Sequence, residues 1–382
     1  MKINKAYKFR LYPTEAQIKY IEGCFNACRY VYNVSLDCEQ QLYLLGAKSN
    51  LSAFGLNYHL KYYKISSPWL KEYDSCAFVY EMENLANAYQ KFFKKEGSYP
   101  KFKRKIDKQS FRTRGAIELF DNHIKIPKVN SKIFYKKHNN LIVEGKIKQF
   151  TISRENNQYY VSVMTEFEKD IQPVQIKKEV GIDFGVKSFL TFDNGEKVDN
   201  PKFLKDNSEH LQKLSQAVSR KVRGSKNHIK AKQKKAKLDL KIKNKRNYFL
   251  HNVSTDLVRN YDRIYMEDLN IKGMSASAKG TVETPGKNVA QKSGLNKAIL
   301  DTGFGMFQNM ISYKTKFSGK EVVKVNRFFA SSKICSNCGN KNTDLKLSDR
   351  IWTCSNCNES LDRDENAAKN IKAEGRRSLI KK

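Results

Sequence analysis

The sequence predicts an α+β protein with more than one domain, and three observations support this fold class. Its 382 residues are enough for two or three domains with at least one sizeable core. A hydrophobic content of 40% and an aromatic content of 12% are typical of a folded chain. Stretches with an apolar residue every three or four positions alternate along the chain with stretches that have one at every second position. Helices and strands are therefore both expected.

The N-terminal region begins as a strand and continues as helices. Residues 5–12 alternate like a short strand, which a proline then ends. Thr14 and Gln17 form a capping-box signature, so a helix should begin there and end near Gly46. A second helix is predicted over about 74–95. The preferred interpretation of both apolar helix faces is the core of a helical bundle.

Two further segments complete the first half of the chain. In the segment 99–114, basic residues interleave with aromatic ones, which suits neutralisation of a nucleic-acid backbone together with stacking on bases. A solvated linker is the alternative interpretation. Residues 115–175 contain short alternating runs with Asn-Asn turn signals, and these predict a small antiparallel β unit. A domain boundary is expected near Pro173.

The pattern changes from Glu179 onward. The stretch 179–198 predicts three short strands joined by turns. Residues 207–250 are rich in Lys and Arg but keep a helical periodicity, which favours a folded pair of basic helices that face phosphates over a solvated tail. Residues 274–294 lack apolar periodicity and predict a mobile loop.

The formal net charge of +33 indicates a polyanionic partner, because a compact chain this basic repels itself. Nucleic acid is the favoured polyanion, with many phosphate contacts and a strong salt dependence. A ribosomal protein or a membrane-surface protein could be equally basic. No run of 18 apolar residues predicts a transmembrane helix, and residues 1–13 lack the apolar region of a secretory signal.

Four cysteines form two closely spaced pairs. Two residues separate Cys335 from Cys338 and Cys354 from Cys357, and fifteen residues lie between the pairs. This spacing is typical of a zinc ribbon, in which each pair forms a knuckle on one tetrahedral ion; four free thiols are the alternative. Such a closed site is structural. The other cysteines lie in helical patterns and are interpreted as buried thiols: Cys24, Cys28, Cys38 and Cys76.

Three acidic residues stand in unusual surroundings. Asp183 lies within a short apolar strand, Glu267 ends another, and Asp364 lies where a helix is expected to begin. Taken singly, each is more often a helix cap or a surface acid, but a carboxylate in an apolar strand is costly without a partner. Carboxylates held together repel one another, and Mg²⁺ relieves that repulsion. Two such ions could activate water and stabilise the leaving oxygen of a phosphodiester.

Nearly the whole chain resembles TnpB, a family of transposon-encoded RNA-guided nucleases that is related to type V CRISPR effectors. The resemblance rests on the motifs KAYKFRLYPTEAQ, CRYVYN, GIDFGVKSF, YMEDLN, SSKICSNCGN, WTCSNC and LDRDENAAKNI. It implies a RuvC-type RNase H fold whose catalytic carboxylates are Asp183, Glu267 and Asp364. It also implies a zinc ribbon inserted before the last of these. Their neighbours Asp268 and Asp362 are expected to point away from the metals.

The resemblance also implies a domain order. In sequence, the implied parts are the first strand of a wedge β-barrel (1–12), an inserted helical recognition domain (13–110), the rest of the barrel (111–175), a RuvC-like nuclease domain (176–330) with a lid loop (274–294), the zinc ribbon (331–360) and a C-terminal catalytic segment (361–382). The N-terminal parts would bind the guide RNA and read a short target-adjacent motif.

The implied activity is RNA-guided cleavage of double-stranded DNA with two Mg²⁺, for which Mn²⁺ can substitute, and with one structural Zn²⁺. The implied partners are a guide RNA from the transposon end and the target DNA, and no membrane is implied. The protein is expected to be a monomer that binds one RNA. Its expected location is the prokaryotic cytoplasm, and the nucleoid when it is bound to DNA. A nuclease-inactive RNA-guided repressor and a guide-independent transposase or resolvase remain alternatives. The candidate nucleic-acid contacts are Asn57, Ser75, Val79, Lys101, Phe102, Lys103, Arg104, Phe111, Arg112, Arg220, Lys221, Arg223, Lys234 and Lys235.

Overall fold

The computed structural model describes residues 1–137, 141–281, 283–346 and 348–380. The chain divides into two compact units, Met1–Asp170 and Ile171–Lys382. The strands are β1 (Lys2–Tyr12), β2 (Gln109–Thr113), β3 (Glu118–Leu119), β4 (His123–Lys125), β5 (Ile133–Lys136), β6 (Lys146–Glu155), β7 (Gln158–Glu168), β8 (Glu179–Phe184), β9 (Ser188–Phe192), β10 (Lys197–Asp199), β11 (Arg263–Glu267), β12 (Glu321–Val325), β13 (Ile351–Thr353) and β14 (Ser360–Asp362). The helices are α1 (Glu15–Leu44), α2 (Ala53–Tyr58), α3 (Leu60–Ser66), α4 (Ser75–Phe93), α5 (Phe203–Asp206), α6 (Ser208–Ser219), α7 (Lys226–Asn260), α8 (Ile271–Met274), α9 (Val289–Thr302), α10 (Phe304–Phe317) and α11 (Arg363–Ile380), with short 3-10 turns at Pro68–Glu72 and Ser331–Lys333.

The first unit is built on a seven-stranded antiparallel sheet with the order β2-β6-β7-β1-β5-β4-β3. The Asn156–Asn157 pair joins β6 to β7, and both residues adopt the positive φ that a tight hairpin turn needs. Within the described residues no pairing joins the edge strands β2 and β3, so the sheet is a half-barrel and the expected full barrel is not seen.

The helices of the first unit lie between β1 and β2 in the chain and share a core with the sheet. The predicted capping box is confirmed: the Thr14 N–H donates to the Gln17 side chain at 2.9 Å, and the Gln17 N–H donates to the Thr14 hydroxyl. The first helix ends at Leu44, two residues before the predicted end. The second predicted helix is α4.

The second unit contains a five-stranded sheet with the order β10-β9-β8-β11-β12. The three strands β8, β11 and β12 run parallel, whereas β9 and β10 continue from β8 as an antiparallel meander. Parallel neighbours bring their carboxyl ends to the same edge of a sheet. A side chain that ends β8 therefore lies beside one that ends β11.

The basic region of the second unit is a helix pair, as predicted. Helix α6 packs against α7, which continues ten residues past the predicted limit of 250 because Leu250, Leu257 and Val258 pack into the core of the unit. In the parts of the chain that the structure describes, no helix is both long enough and apolar enough to cross a membrane.

The predicted loop 274–294 is more ordered than its composition indicates. Gly280 and Pro285 form an isolated antiparallel bridge, and α9 begins at Val289, so the last six residues of the predicted loop are helical. The Asn296 side chain donates to the carbonyls of Ser275 and Ala276. Tertiary hydrogen bonds of this kind order a segment that has no apolar periodicity of its own.

Candidate active site and cysteine cluster

Two of the predicted acids end neighbouring parallel strands. Met266 of β11 pairs with Ile182 of β8, so the next residues along these strands are Glu267 and Asp183. Asp183 also lies opposite Thr191 in the antiparallel pairing with β9. The sheet register therefore brings two carboxylates, 84 positions apart in the chain, to one sheet edge.

The third acid reaches this edge on helix α11, which packs on β8 and β11. Gly181 makes the close approach possible, because a Cβ atom there would lie 2.3 Å from the carbonyl oxygen of Ala368. Asp364 is the second residue of the helix. One Asp362 carboxylate oxygen accepts the backbone N–H groups of Asp364 and Glu365, both at 3.0 Å, and so caps the helix.

The negative charges of the other two predicted acids act on Asp183. Burial, followed by the negative charges of Glu267 and Asp364, raises the pKa of Asp183 well above its usual range. Burial also raises the pKa of Glu267, against a hydrogen bond that Ser331 donates. The guanidinium of Arg350 lies 3.6 Å from the Asp364 carboxylate.

This repulsion predicts that Asp183→Asn stabilises the metal-free protein. The folded pKa of Asp183 lies above its unfolded value, so ionisation costs stability as the pH rises from about 4 through the folded pKa. The variant should melt a few degrees higher than the wild type near neutral pH in buffer without Mg²⁺ or chelator, and the gain should vanish near pH 4. Thermal denaturation followed by circular dichroism at several pH values measures this, and equal melting throughout would contradict the repulsion.

The four paired cysteines converge on one point. Their sulfur atoms all lie within 4.8 Å of one another, and among the described residues no other group of potential metal ligands converges in this way. The sulfurs of Cys335 and Cys357 are 3.6 Å apart, as are those of Cys338 and Cys354. Four sulfurs bound at about 2.3 Å to a tetrahedral zinc ion would lie about 3.8 Å apart. The cluster therefore fits zinc.

The local structure prepares two of these four thiols to bind a cation. Hydrogen bonds from the Asn356 side chain and the Asn340 backbone lower the pKa of Cys338 to about 6. Backbone N–H groups of Cys357 and Asn356 lower the pKa of Cys354. Thiolates are the form that binds a metal. Of the other four cysteines, Cys24 and Cys28 are buried as predicted, whereas Cys38 and Cys76 are half-buried.

The predicted contact segment 101–104 is partly committed to the fold. The Asn33 side chain accepts the Lys103 backbone N–H at 2.8 Å and donates to the Lys103 carbonyl at 2.9 Å. The Lys103 ammonium pairs with the buried Glu81 carboxylate. The other predicted contacts of the segment have exposed side chains: Lys101, Phe102 and Arg104.

The prediction for Phe111 needs correction. Its ring is only 2% exposed and packs edge-on against Phe25 in the core of the first unit, so it has no free face for a base. Buried and half-buried residues alternate along β2, and Phe111 is one of the buried residues on the core face of the sheet. Its neighbour Arg112 stays half-buried, with its guanidinium over the Tyr80 ring and bonded to Asn84.

The remaining predicted contacts of the first unit lie on two helices. Asn57 of α2 has a buried side-chain oxygen without a hydrogen-bond partner among the described residues. On α4, Ser75 is exposed and accepts a hydrogen bond from Lys64, while Val79 packs against the core. Of these three, Ser75 has the most accessible side chain.

In the second unit the predicted contacts lie in the turn between α6 and α7 and on α7 itself. Lys235 is half-buried and forms an ion pair with Asp239 at 3.1 Å. The others are exposed: Arg220, Lys221, Arg223 and Lys234. Their exposure suits contacts with phosphates.

Sequence reasoning did not single out the polar residues that hold the acids in place. Ser331 donates to the Glu267 carboxylate, and Gln308 donates to its backbone carbonyl, both buried. Asn366 and Asn370 attach α11 to the start of the cysteine segment. The four-residue spacing of these asparagines beside Asp364 was the available signal, because it places both on one helix face.

Three parts of the chain match known families. Residues 162–278 match a family described as "Probable transposase", and residues 304–371 match one described as "Cas12f1-like, TNB domain". Residues 1–48 match a family described as "Helix-turn-helix domain", although in this chain they form β1 and the single helix α1.

Relatives align with almost the whole chain. A protein of Escherichia coli (strain K12), named "Putative RNA-guided DNA endonuclease InsQ", is 32% identical over 98% of this chain and 93% of its own length. A protein of Streptomyces pristinaespiralis, named "Putative RNA-guided DNA endonuclease", is 31% identical over 98% of this chain and 90% of its own length.

The fold has a solved counterpart. A chain from a cryo-EM structure of a Cas12f1–sgRNA–target DNA complex superimposes with a TM-score of 0.56 at 13% identity, over 97% of this chain and 99% of that one. At this low identity, the superposition shows a shared fold and nothing more. Together with the relatives, it means that the chain belongs to the TnpB family, which is related to type V CRISPR effectors.

Proposed function

We propose that this protein is an RNA-guided endonuclease that cleaves double-stranded DNA at a centre formed by Asp183, Glu267 and Asp364. The observation that carries the proposal is the convergence of these acids from two strands and a helix. Ionisation of Asp183 is opposed by the charges of the other two, and a site with this property is suited to cations. The relatives that align with almost the whole chain are named "Putative RNA-guided DNA endonuclease", which agrees with this proposal.

The donor set fits hard cations, because all three side chains offer carboxylate oxygens. Two bound Mg²⁺, for which Mn²⁺ can substitute, would supply an activated water and a stabilised leaving oxygen. The chain's own part is to hold the carboxylates at one sheet edge, with Asp183 and Glu267 fixed by the sheet register and Asp364 by its helix. Such a centre is of the RuvC type. The cysteine cluster would hold one structural Zn²⁺.

The proposed partners are one guide RNA from the transposon end and a target duplex, bound by a monomer. The guide would pair with the target strand, while the protein would hold the heteroduplex by its backbone and read a short flanking motif. The net charge of +33 and the exposed cations at the turn between α6 and α7 support this assignment. In this proposal the first unit contains the wedge and the helical recognition domain, and residues 274–294 act as a lid over the carboxylates.

Copurification tests the guide. Protein expressed with its native flanking DNA should carry a defined, structured RNA, which sequencing of the bound RNA would identify. Treatment with RNase should then abolish cleavage of a plasmid that matches the RNA, because base pairing supplies the sequence specificity. Cleavage of the same plasmid that survives complete removal of RNA would overturn the guided function and favour a resolvase or transposase.

A further inference from the structure

The start of the cysteine segment is bonded to the strand that carries Glu267. Ser331 lies in the short 3-10 turn four residues before Cys335. Its hydroxyl donates to one oxygen of the Glu267 carboxylate at 2.7 Å. Ser331 is 6% exposed, so little water can replace this hydrogen bond. The bond occupies one carboxylate oxygen and limits rotation of the group.

The same segment is also fastened to the helix that carries Asp364. The Asn370 side chain donates to the carbonyl of Ser331 at 2.8 Å and also to the carbonyl of Ile334. One turn earlier, the Asn366 amide donates to the Ile334 carbonyl at 2.7 Å and accepts the Ser336 N–H at 2.8 Å. Both asparagines are buried. A buried amide whose hydrogen bonds are satisfied fixes its partners in one arrangement.

Ser331 therefore joins two of the three acids. Its hydroxyl holds Glu267 on β11, and its carbonyl is held by Asn370, six residues after Asp364 on α11. Cys335, the first cysteine of the cluster, follows Ser331 by four residues. The cluster and the hydrogen bonds of Ser331 therefore share one short backbone segment. Groups that fix a metal-binding carboxylate commonly change metal affinity by about 10- to 100-fold when they are removed.

We propose that Ser331 is a positioning residue that orients the Glu267 carboxylate for divalent cations, and that Asn370 holds Ser331 in place. The cysteine ribbon thereby tunes the metal affinity of the nuclease centre as well as stabilising its own fold. This inference rests on the proposed function, because it takes Glu267 to be a ligand of the catalytic cations.

Direct metal binding provides the test. Full-length, zinc-loaded protein without RNA would be titrated with Mn²⁺, and free Mn²⁺ would be measured by electron paramagnetic resonance, with Asp183→Ala as the blank. Ser331→Ala and Asn370→Ala should each raise the Mn²⁺ dissociation constant about tenfold or more. Ser331→Thr keeps the hydroxyl and should restore binding close to wild type. Ser378→Ala is the matched control, because that hydroxyl only bonds the Gly375 carbonyl at the other end of α11.

Cleavage by the RNA complex adds a second readout. Ser331→Ala should need about tenfold more Mg²⁺ for half-maximal cleavage and should approach the wild-type rate at saturating Mg²⁺, because only the affinity changes. Wild-type Mn²⁺ affinity and Mg²⁺ dependence in both Ser331→Ala and Asn370→Ala would overturn the inference. Failure of the proposed function would look different, since the wild-type complex would then not cleave or Asp183→Ala would still cleave.

Discussion

Asp183→Ala should lower plasmid cleavage by about 10³-fold or more while RNA-guided DNA binding persists. Burial and the charges of the other two carboxylates oppose the ionisation of Asp183. Without it, the remaining pair would hold cations too weakly to activate water. Phosphate and base-pair contacts form elsewhere, so binding should remain. The measurements are cleavage with and without Mg²⁺, alongside a filter-binding assay on the same target.

The matched control for this prediction is Asp268→Ala. Asp268 directly follows Glu267, but its carboxylate forms ion pairs with Lys324 at 3.3 Å and with Arg327 at 2.9 Å. These exposed pairs contribute little to stability, so the variant should cleave nearly as well as wild type. Full cleavage by Asp183→Ala, or loss of cleavage by Asp268→Ala alone, would mean that other residues form the catalytic centre.

Asp362 is not the neutral control that its position in the sequence indicates. Its carboxylate pairs with Lys197 at 2.8 Å and also caps the helix that presents Asp364. Removing such a cap commonly costs about 0.5–2 kcal/mol. Asp362→Ala should therefore lower activity through displacement of Asp364, whereas Asp362→Ser, which keeps a capping oxygen, should retain more.

Cys354→Ser should release the metal and unfold the cysteine ribbon. The apolar core around the cluster consists of only a few side chains: Cys335, Leu345, Trp352, Cys354 and Leu361, with Cys357 at its margin. A core this small cannot stabilise a domain alone, whereas structural zinc contributes about 10–16 kcal/mol in small zinc domains. Cys354 is 0% exposed, and a serine oxygen is a poor replacement for its thiolate.

Loss of the ribbon should also reduce cleavage, because the ribbon carries the segment that contacts Glu267 and α11. Elemental analysis should find about one zinc per chain in the wild type and much less in the variant. Limited proteolysis should then cut within residues 335–360. Cys38→Ser is the control, since this half-buried thiol in α1 lies outside the cluster. A Cys354→Ser protein with full zinc content and unchanged proteolysis would contradict the assignment.

Local patterns in the sequence determined much of the fold. The capping box at Thr14, the strands that carry Asp183 and Glu267, the helix beginning near Asp364 and the Asn-Asn hairpin each depend on neighbouring residues, and the structure has all of them. The cysteine spacing likewise identified the cluster, because two residues between ligands set the geometry of a knuckle.

Contacts between distant residues had to come from the tertiary structure. Phe111 was predicted to stack on bases, yet the pairing of β2 with β6 turns its ring into the core. Residues 289–294 became helical, and the expected barrel stayed open between β2 and β3 within the described residues. A one-residue change of register moves every side chain of a strand to the opposite face of the sheet, and the register cannot be derived from composition.

The candidate site was likewise predictable from the sequence only in part. The sequence alone singled out the three acids as candidates and predicted the grouping of the four cysteines, which the structure confirms. Only the tertiary structure showed that Asp362 caps the helix of Asp364 and that Ser331 and Asn370 connect the cysteine segment to Glu267 and α11. These hydrogen bonds join residues brought together by the parallel sheet and by the close packing of α11 at Gly181, a geometry that no spacing along the chain contains.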